Sequence, residues 1–167
     1  FFMFKNSNFN KPLNFNTINV TDMGTMFAGS KFNQYLNFDT SNVTSMAGMF
    51  ERNTCFNKPL NFNTQKVYNM LHMFVGAKKF NQDISHWNFN NINNTKTLSF
   101  LEGTGVNKNI KNKIINNMVL GINYKINKAA IFSKKRNNIE NLNDKLNGEI
   151  PITREELIIL INSWGRN

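Results

Sequence analysis

A single cysteine, Cys55, leaves no partner for an intrachain disulfide and no thiol set for a structural zinc site. It directly precedes a recurring phenylalanine at a position that Lys31 and Lys79 also occupy, so it reads as a variable position rather than a reactive thiol. Only two histidines occur, His72 and His86, and neither has a cysteine or a second histidine at ligand spacing, which argues against a metal site. The ten acidic residues are scattered singly, and Asp83 and Glu102 make no recognisable acid/base pair. The glycines at 103 and 105 lack the remaining spacing of a dinucleotide fingerprint, there is no phosphate loop, and no Ser-His-Asp or Cys-His set is visible. These absences weigh against an enzyme and call for no cofactor. No apolar run reaches the roughly 18 residues of a membrane span. The opening Phe1-Phe2-Met3-Phe4 is only four residues, follows no basic region and is better explained by the repeat that comes after it.

What is abundant is asparagine, 34 of 167 residues, with 16 lysines and 15 isoleucines. That mixture resembles the drift of an AT-rich genome. It tempers the meaning of a formal charge of +10, which otherwise suggests nucleic acid, anionic lipid or a polyanionic glycan as partner. Sixteen phenylalanines and eight methionines, within 40% hydrophobic residues, argue against a disordered chain. The length suits one domain, or a repeat array with an appended cap.

The apolar residues are organised as a repeat. Phe-Asn begins four copies, at Phe9, Phe32, Phe56 and Phe80, so the period runs 23, 24 and 24 residues. An aliphatic residue and an aromatic follow in each copy, as Leu13/Phe15, Leu36/Phe38, Leu60/Phe62 and, with one residue inserted, Ile84/Trp87. Then come Val20, Val43, Val67 or Ile92, and the triplets Met23-Met26-Phe27, Met46-Met49-Phe50 and Met70-Met73-Phe74. A fixed period of this size marks a solenoid, whose units bury their apolar face only when neighbours stack. Leu-x-Phe alternates as a short strand does, and Val-x-x-Met-x-x-Met-Phe has helical spacing, so each copy is expected to hold a strand and one or two helical turns. Phe9, Phe27, Phe32, Phe50, Phe56, Phe74 and Phe80 form the expected core. Asn10, Asn33, Asn57 and Asn81 recur beside it, and stacking would make them a ladder that satisfies buried backbone groups, a reading preferred to a ligand-binding stripe. The methionines are read as core filling. Met3-Phe4 matches the end of a copy, so the chain is expected to begin in mid-repeat as part of a longer protein.

The fourth copy degrades after Ile92, with Thr95, Leu98 and Ser99 where methionines stand elsewhere, which places a boundary near 103–105. Residues 1–105 are therefore assigned to the repeats and 106–167 to a helical C-terminal cap or small helical domain. Ile110, Ile114, Ile115, Met118 and Val119 predict a helix stopping at Gly121, and Ile139, Leu142 and Leu146 a second. Ile122–Phe132 is ambiguous and is assigned to helix. Thr153-Arg154-Glu155-Glu156 is a capping box opening a very apolar helix, in which Leu157, Ile158 and Ile161 are candidates for assembly with another chain or for burial on the repeats. Lys125, Lys128, Lys134, Lys135 and Arg136 form a basic patch, within a segment carrying 11 basic and 5 acidic residues. It is read first as a solvated helix end or loop and second as a phosphate-contacting surface. The sequons at Asn19, Asn42 and Asn93 fall at nearly one repeat position and are explained by duplication.

The string Phe80-Asn81-Gln82-Asp83-Ile84-Ser85-His86-Trp87-Asn88, with Ser41-Asn42-Val43-Thr44-Ser45-Met46-Ala47-Gly48-Met49-Phe50, resembles the BspA-like surface-protein repeat, FNQDISxWxxSNVTxMxxMFxxAxx. That family is abundant in mycoplasma-type surface lipoproteins and in giant DNA viruses. The resemblance covers about residues 1–103; the first three copies lack one residue before the aromatic and carry Phe in place of Trp. The four copies and the helical segment after them make the expected fold an α/β repeat, a leucine-rich-repeat-like parallel solenoid of about four coils with a C-terminal α-helical cap; the resemblance implies the leucine-rich-repeat-like coil. It also implies a cell-surface or virion setting, a role in adhesion or protein interaction, and no catalytic residues. The expected function is a non-enzymatic interaction or structural module with a protein or host-surface partner, or one that self-assembles. The alternative is nucleic-acid binding through the basic C-terminal segment, disfavoured because Tyr124 and Phe132 are the only aromatics near those lysines.

Overall fold

Phenylalanine rings set the spacing of the fold. In the computed structural model, which describes residues 2–92, 97 and 99–121, successive copies lie one on the next. All these residues belong to the first of two units into which the chain divides, Phe1–Ile126 and Asn127–Asn167. Phe4, Phe27, Phe50 and Phe74 form one column of near-parallel rings with centroids 5.6, 5.5 and 5.5 Å apart. Phe9, Phe32, Phe56 and Phe80 form a second, at 6.4, 6.4 and 6.1 Å. Where one copy ends and the next begins the two columns touch, with centroids 4.1 Å apart for Phe27–Phe32 and for Phe50–Phe56. Such offset-stacked pairs add about 0.5–1.5 kcal/mol each beyond the area they bury. Met46, Met49, Met70 and Met73 fill the space beside them and are fully buried, as are Val43 and Val67. A third aromatic column runs beside Leu36, Leu60 and Ile84, with Phe15–Phe38 at 6.4 Å and Phe62–Trp87 at 6.0 Å. Trp87 takes the aromatic place in the copy that has the inserted residue, and its indole N–H donates to Leu60 C=O at 3.4 Å.

The backbone does not take the local shapes the spacing predicts. Leu36–Phe38 is extended but belongs to no strand, and the only regular pairings among the described residues are isolated parallel bridges, Asp22 with Ser45 and Ser45 with Asn69. Between Met23 and Ser30, and in the matching segments of the other copies, consecutive turns replace the expected helix. N–H groups there alternate in direction. Thr25, Phe27 and Gly29 donate to Ala47, Met49 and Glu51 of the next copy at 2.7–2.9 Å, while Met26, Ala28 and Ser30 donate three residues back within their own copy. A helix points every N–H the same way and could bond only to itself. Alternation lets one segment close its own turns and join its neighbour.

Left-handed residues produce the alternation. Two positions per copy have positive φ, two residues before the phenylalanine of the Met-Phe pair and two after it. The first is occupied by Phe2, Thr25, Gly48 and His72, the second by Asn6, Gly29, Arg52 and Gly76. A side chain there meets the following carbonyl, at about 1–2 kcal/mol for a non-glycine residue. Arg52 has φ +54° and a largely exposed side chain with only a loose 3.9 Å approach to Glu51. Arg52→Gly is therefore expected to raise stability by about 0.5–1 kcal/mol after the extra freedom of glycine in the unfolded chain is subtracted. Gly48→Ala, at φ +62° with the new Cβ 3.0 Å from Thr25 Cγ2, should lower it by about 1–2 kcal/mol. Urea unfolding of the full chain measures both, and equal stability of the three proteins would refute the argument.

Beyond the repeats, helix α1 spans 108–121. Asn107 caps it by accepting the Ile110 N–H at 3.0 Å. Ile114 and Met118 are fully buried in the same apolar core as the repeats, with Ile110 packed against it. Gly121, expected as a helix stop, is still helical; it sits where a Cβ would lie 3.0 Å from the Phe89 carbonyl carbon and oxygen, so its small size permits close packing. The further helices expected at 122–132, 139–146 and 153–164 lie outside the described residues.

Candidate functional site

At each Phe-Asn pair the phenylalanine is turned inward, and the residues that flank it are turned outward. Lys31, Asn33 and Tyr35 point away from the core, and Phe32, between the first two, is fully buried. Stacking brings equivalent residues into columns: Asn8, Lys31, Cys55 and Lys79 in one, Pro12, Tyr35, Pro59 and Asp83 in another. Between them run Asn10, Asn33, Asn57 and Asn81.

These asparagines form a ladder. Asn10 Oδ1 accepts the Asn33 N–H at 2.8 Å, Asn33 Oδ1 the Asn57 N–H at 2.9 Å, and Asn57 Oδ1 the Asn81 N–H at 2.9 Å. Gln34 Nε2 donates to Asn10 Oδ1 and Gln82 Nε2 to Asn57 Oδ1 at 3.2 and 2.8 Å. The backbone groups they satisfy are surface groups rather than buried ones, because a residue next to an inward-pointing Phe must point out; Asn10, Asn57 and Asn81 are exposed and Asn33 half-buried. Of the expected core residues, Phe27, Phe32, Phe50, Phe56, Phe74 and Phe80 are completely buried, and Phe9 is half-buried.

The charge beside the ladder is positive. Lys11, Lys31 and Lys79 are exposed, and Lys58 extends over the Tyr35 ring, its Nζ 5.0 Å from the centroid. Among the described residues only Arg52 and Lys113 approach a carboxylate within 4 Å, and Lys113 takes Asp83, the one acid on this face, at 3.4 Å. The Ser85 hydroxyl and N–H hold the Asp83 carboxyl below the ordinary carboxylate range, with Lys113 adding to the effect; Ser41 does the same for Asp39. Because the lowered values belong to the folded chain, both carboxylates favour folding near neutrality, and that contribution fades as pH falls through those values.

Three structural sets escaped the reading from sequence. Thr17, Thr40 and Thr64 are buried, and each hydroxyl donates to a carbonyl of the next copy, Asp39, Asn63 and Asn88, at 3.0–3.1 Å. A threonine three residues before each of Val20, Val43 and Val67 was the available signal. Asn16, Asp39, Asn63 and Asn88 each accept the N–H two residues on, one per copy. Asn53 is fully buried with both ends of its amide engaged.

A recess of about 480 Å³ is lined by Met3, Phe15, Val20, Met23, Met26 and Phe38 among others. It brings together no acid/base pair, and Asp22 at its edge is committed to the Gly24 N–H at 2.6 Å. Among the described residues there is no group of three or more His, Cys, Asp or Glu able to hold a metal ion, and no helix long and apolar enough to cross a membrane. His72 and His86 are both exposed, and Cys55 is half-buried. Asn42 of one sequon donates its Nδ2 to Ile18 C=O at 2.8 Å. The basic patch at Lys125, Lys128, Lys134, Lys135 and Arg136, the candidate assembly residues Leu157, Ile158 and Ile161, and the sequon at Asn93 lie outside the described residues.

A family model described as a Mycoplasma protein of unknown function, DUF285, matches residues 1–113 and, in a second alignment, 35–142. No curated protein and no solved structure matches the chain.

Proposed function

The chain belongs to this Mycoplasma repeat family, and from that premise we propose that it is a non-enzymatic interaction or structural module, displayed on a cell surface or in a virus particle. In the same reading the repeats are of the BspA-like kind, and the stacked copies are a leucine-rich-repeat-like parallel solenoid with a helical cap. The observation that carries the reading is the registered outer face. Four copies present the same residue column at the same height, with the spacing set by backbone hydrogen bonds between copies. Stacked repeats create extended surfaces of this sort, suited to a large partner rather than to a small substrate. The partner is a protein or another molecule of a host surface.

Antibodies against the folded chain test the setting. They are expected to label intact cells of the producing organism, or its purified particles, as strongly as permeabilised ones, and labelling that requires permeabilisation and is absent from particles would overturn the proposal.

A further inference from the structure

The asparagine ladder uses up acceptors and leaves donors. Each Oδ1 of Asn10, Asn33 and Asn57 takes a backbone N–H from the next copy, which also fixes which end of the amide is oxygen. Among the described residues none of the four Nδ2 groups donates to anything, so each copy carries an NH₂ free to donate, on residues that are exposed at Asn10, Asn57 and Asn81 and half-buried at Asn33. On either side stand lysines without a carboxylate partner, and Tyr35 is 63% exposed, with Lys58 over one face of its ring. The face is thus an array of donors and cations around one exposed aromatic, and its single acid is paired with Lys113.

We propose that this face docks an extended anionic polysaccharide, with Lys31 and Lys79 holding its acidic groups, the ladder amides donating to the oxygens between them, and a sugar ring packing against the exposed Tyr35 beside Lys58. Charge complementarity selects this occupant. A second copy of the chain would bring the same positive face against itself. A nucleic-acid strand carries a charge about every 3.4 Å. The lysines of one column recur only in every second copy, about 10 Å apart at strand spacing, and one ring cannot support a run of stacked bases. A polysaccharide spaces its acidic groups with neutral, oxygen-rich units, which is the order of lysine, amide and lysine found here. The inference rests on the reading of the chain as an interaction module and fails separately from it, since surface labelling tests the module whatever it binds.

The experiment is fluorescence anisotropy of a labelled hyaluronate oligosaccharide, which carries one carboxylate per disaccharide, titrated with the full chain near physiological salt. Uncharged dextran and single-stranded oligo-dT serve as competitors. Hyaluronate is expected to bind with an affinity that falls with salt, dextran to leave it in place, and oligo-dT to compete poorly. Lys31→Glu with Lys79→Glu should weaken binding about tenfold or more. Tyr35→Ala, a change at an exposed ring that leaves the core intact, should weaken it severalfold, whereas Lys134→Glu with Lys135→Glu should leave it unchanged. No hyaluronate binding, full binding by the Lys31/Lys79 variant, or equal competition by oligo-dT would each overturn the proposal.

Discussion

Phe50→Ala is expected to lower the stability of the chain by about 3–5 kcal/mol, the cost of truncating a fully enclosed aromatic. Phe50 is completely buried and touches three other rings: Phe27 and Phe74 in its own column, both 5.5 Å away, and Phe56 beside it at 4.1 Å. Neighbouring rings are held by their own backbone bonds to the copies on either side, so the stack has little freedom to close the cavity. Urea unfolding of the full chain gives the number, with Tyr35→Ala as a surface control expected within about 0.5 kcal/mol of the parent. A loss below about 1 kcal/mol for Phe50→Ala would mean that the ring columns do not hold the copies together.

Asn53→Ala ranks second, at about 2–4 kcal/mol. The side chain donates to Ser30 Oγ at 3.2 Å and to Phe32 C=O at 3.0 Å, and its Oδ1 accepts the N–H groups of Cys55 and Phe56, both at 3.0 Å. Alanine leaves buried backbone groups with no partner and no water to replace the amide. Position explains what the asparagine does. Ser7 and Ser30 occupy the same place where the step from the Met-Phe phenylalanine to the next Phe-Asn is five residues, and each hydroxyl reaches one N–H, of Phe9 or of Phe32. From Phe50 to Phe56 the step is six residues, and the longer amide spans the additional one; at the other six-residue step, Phe74 to Phe80, Ala77 stands in this place and its carbonyl accepts the Phe80 N–H at 3.0 Å instead. Asn53→Ser should therefore recover only part of the loss. The same denaturation measurement checks both variants, and a serine variant as stable as the parent would show that the second N–H contact has no value.

The columns were legible because identity recurs at a fixed period, and stacking follows from that without knowledge of the local backbone. Backbone shape was not legible for a specific reason. Met23, Met26 and Phe27 have helical spacing, and the signal against a helix is a left-handed residue on each side of the phenylalanine. Glycine announces such a residue at 29, 48 and 76, but Thr25, Arg52 and His72 adopt it without glycine, so no single copy displays the pair. Only the copies overlaid reveal it. The asparagine excess hid its own meaning in a similar way. Treated as compositional drift, it concealed Asn16, Asn63 and Asn88, whose carboxamides each close a turn, and Asn53, which organises a buried one. For the candidate site, the ladder residues were recognisable, but their exposure was not. Proximity to an invariant ring suggested burial, whereas alternation along an extended segment turns the neighbour of a buried ring toward solvent.

The direction of the bonds between copies has an electrical consequence. The Phe4 N–H donates to Met26 C=O, and the peptide carrying that carbonyl carries the Phe27 N–H, which donates to Met49; Phe50 to Met73 and Phe74 to Phe100 continue the line. A parallel line runs from Asn6 through Gly29, Arg52 and Gly76 to Glu102. Peptide dipoles aligned head to tail add up and polarise one another, as they do along an α-helix. Here they add across the chain rather than along it, with N–H ends directed toward the later copies. The turn side of the stack is therefore a macrodipole assembled from residues more than twenty positions apart, and each further repeat would lengthen it by one unit while leaving its polarity unchanged.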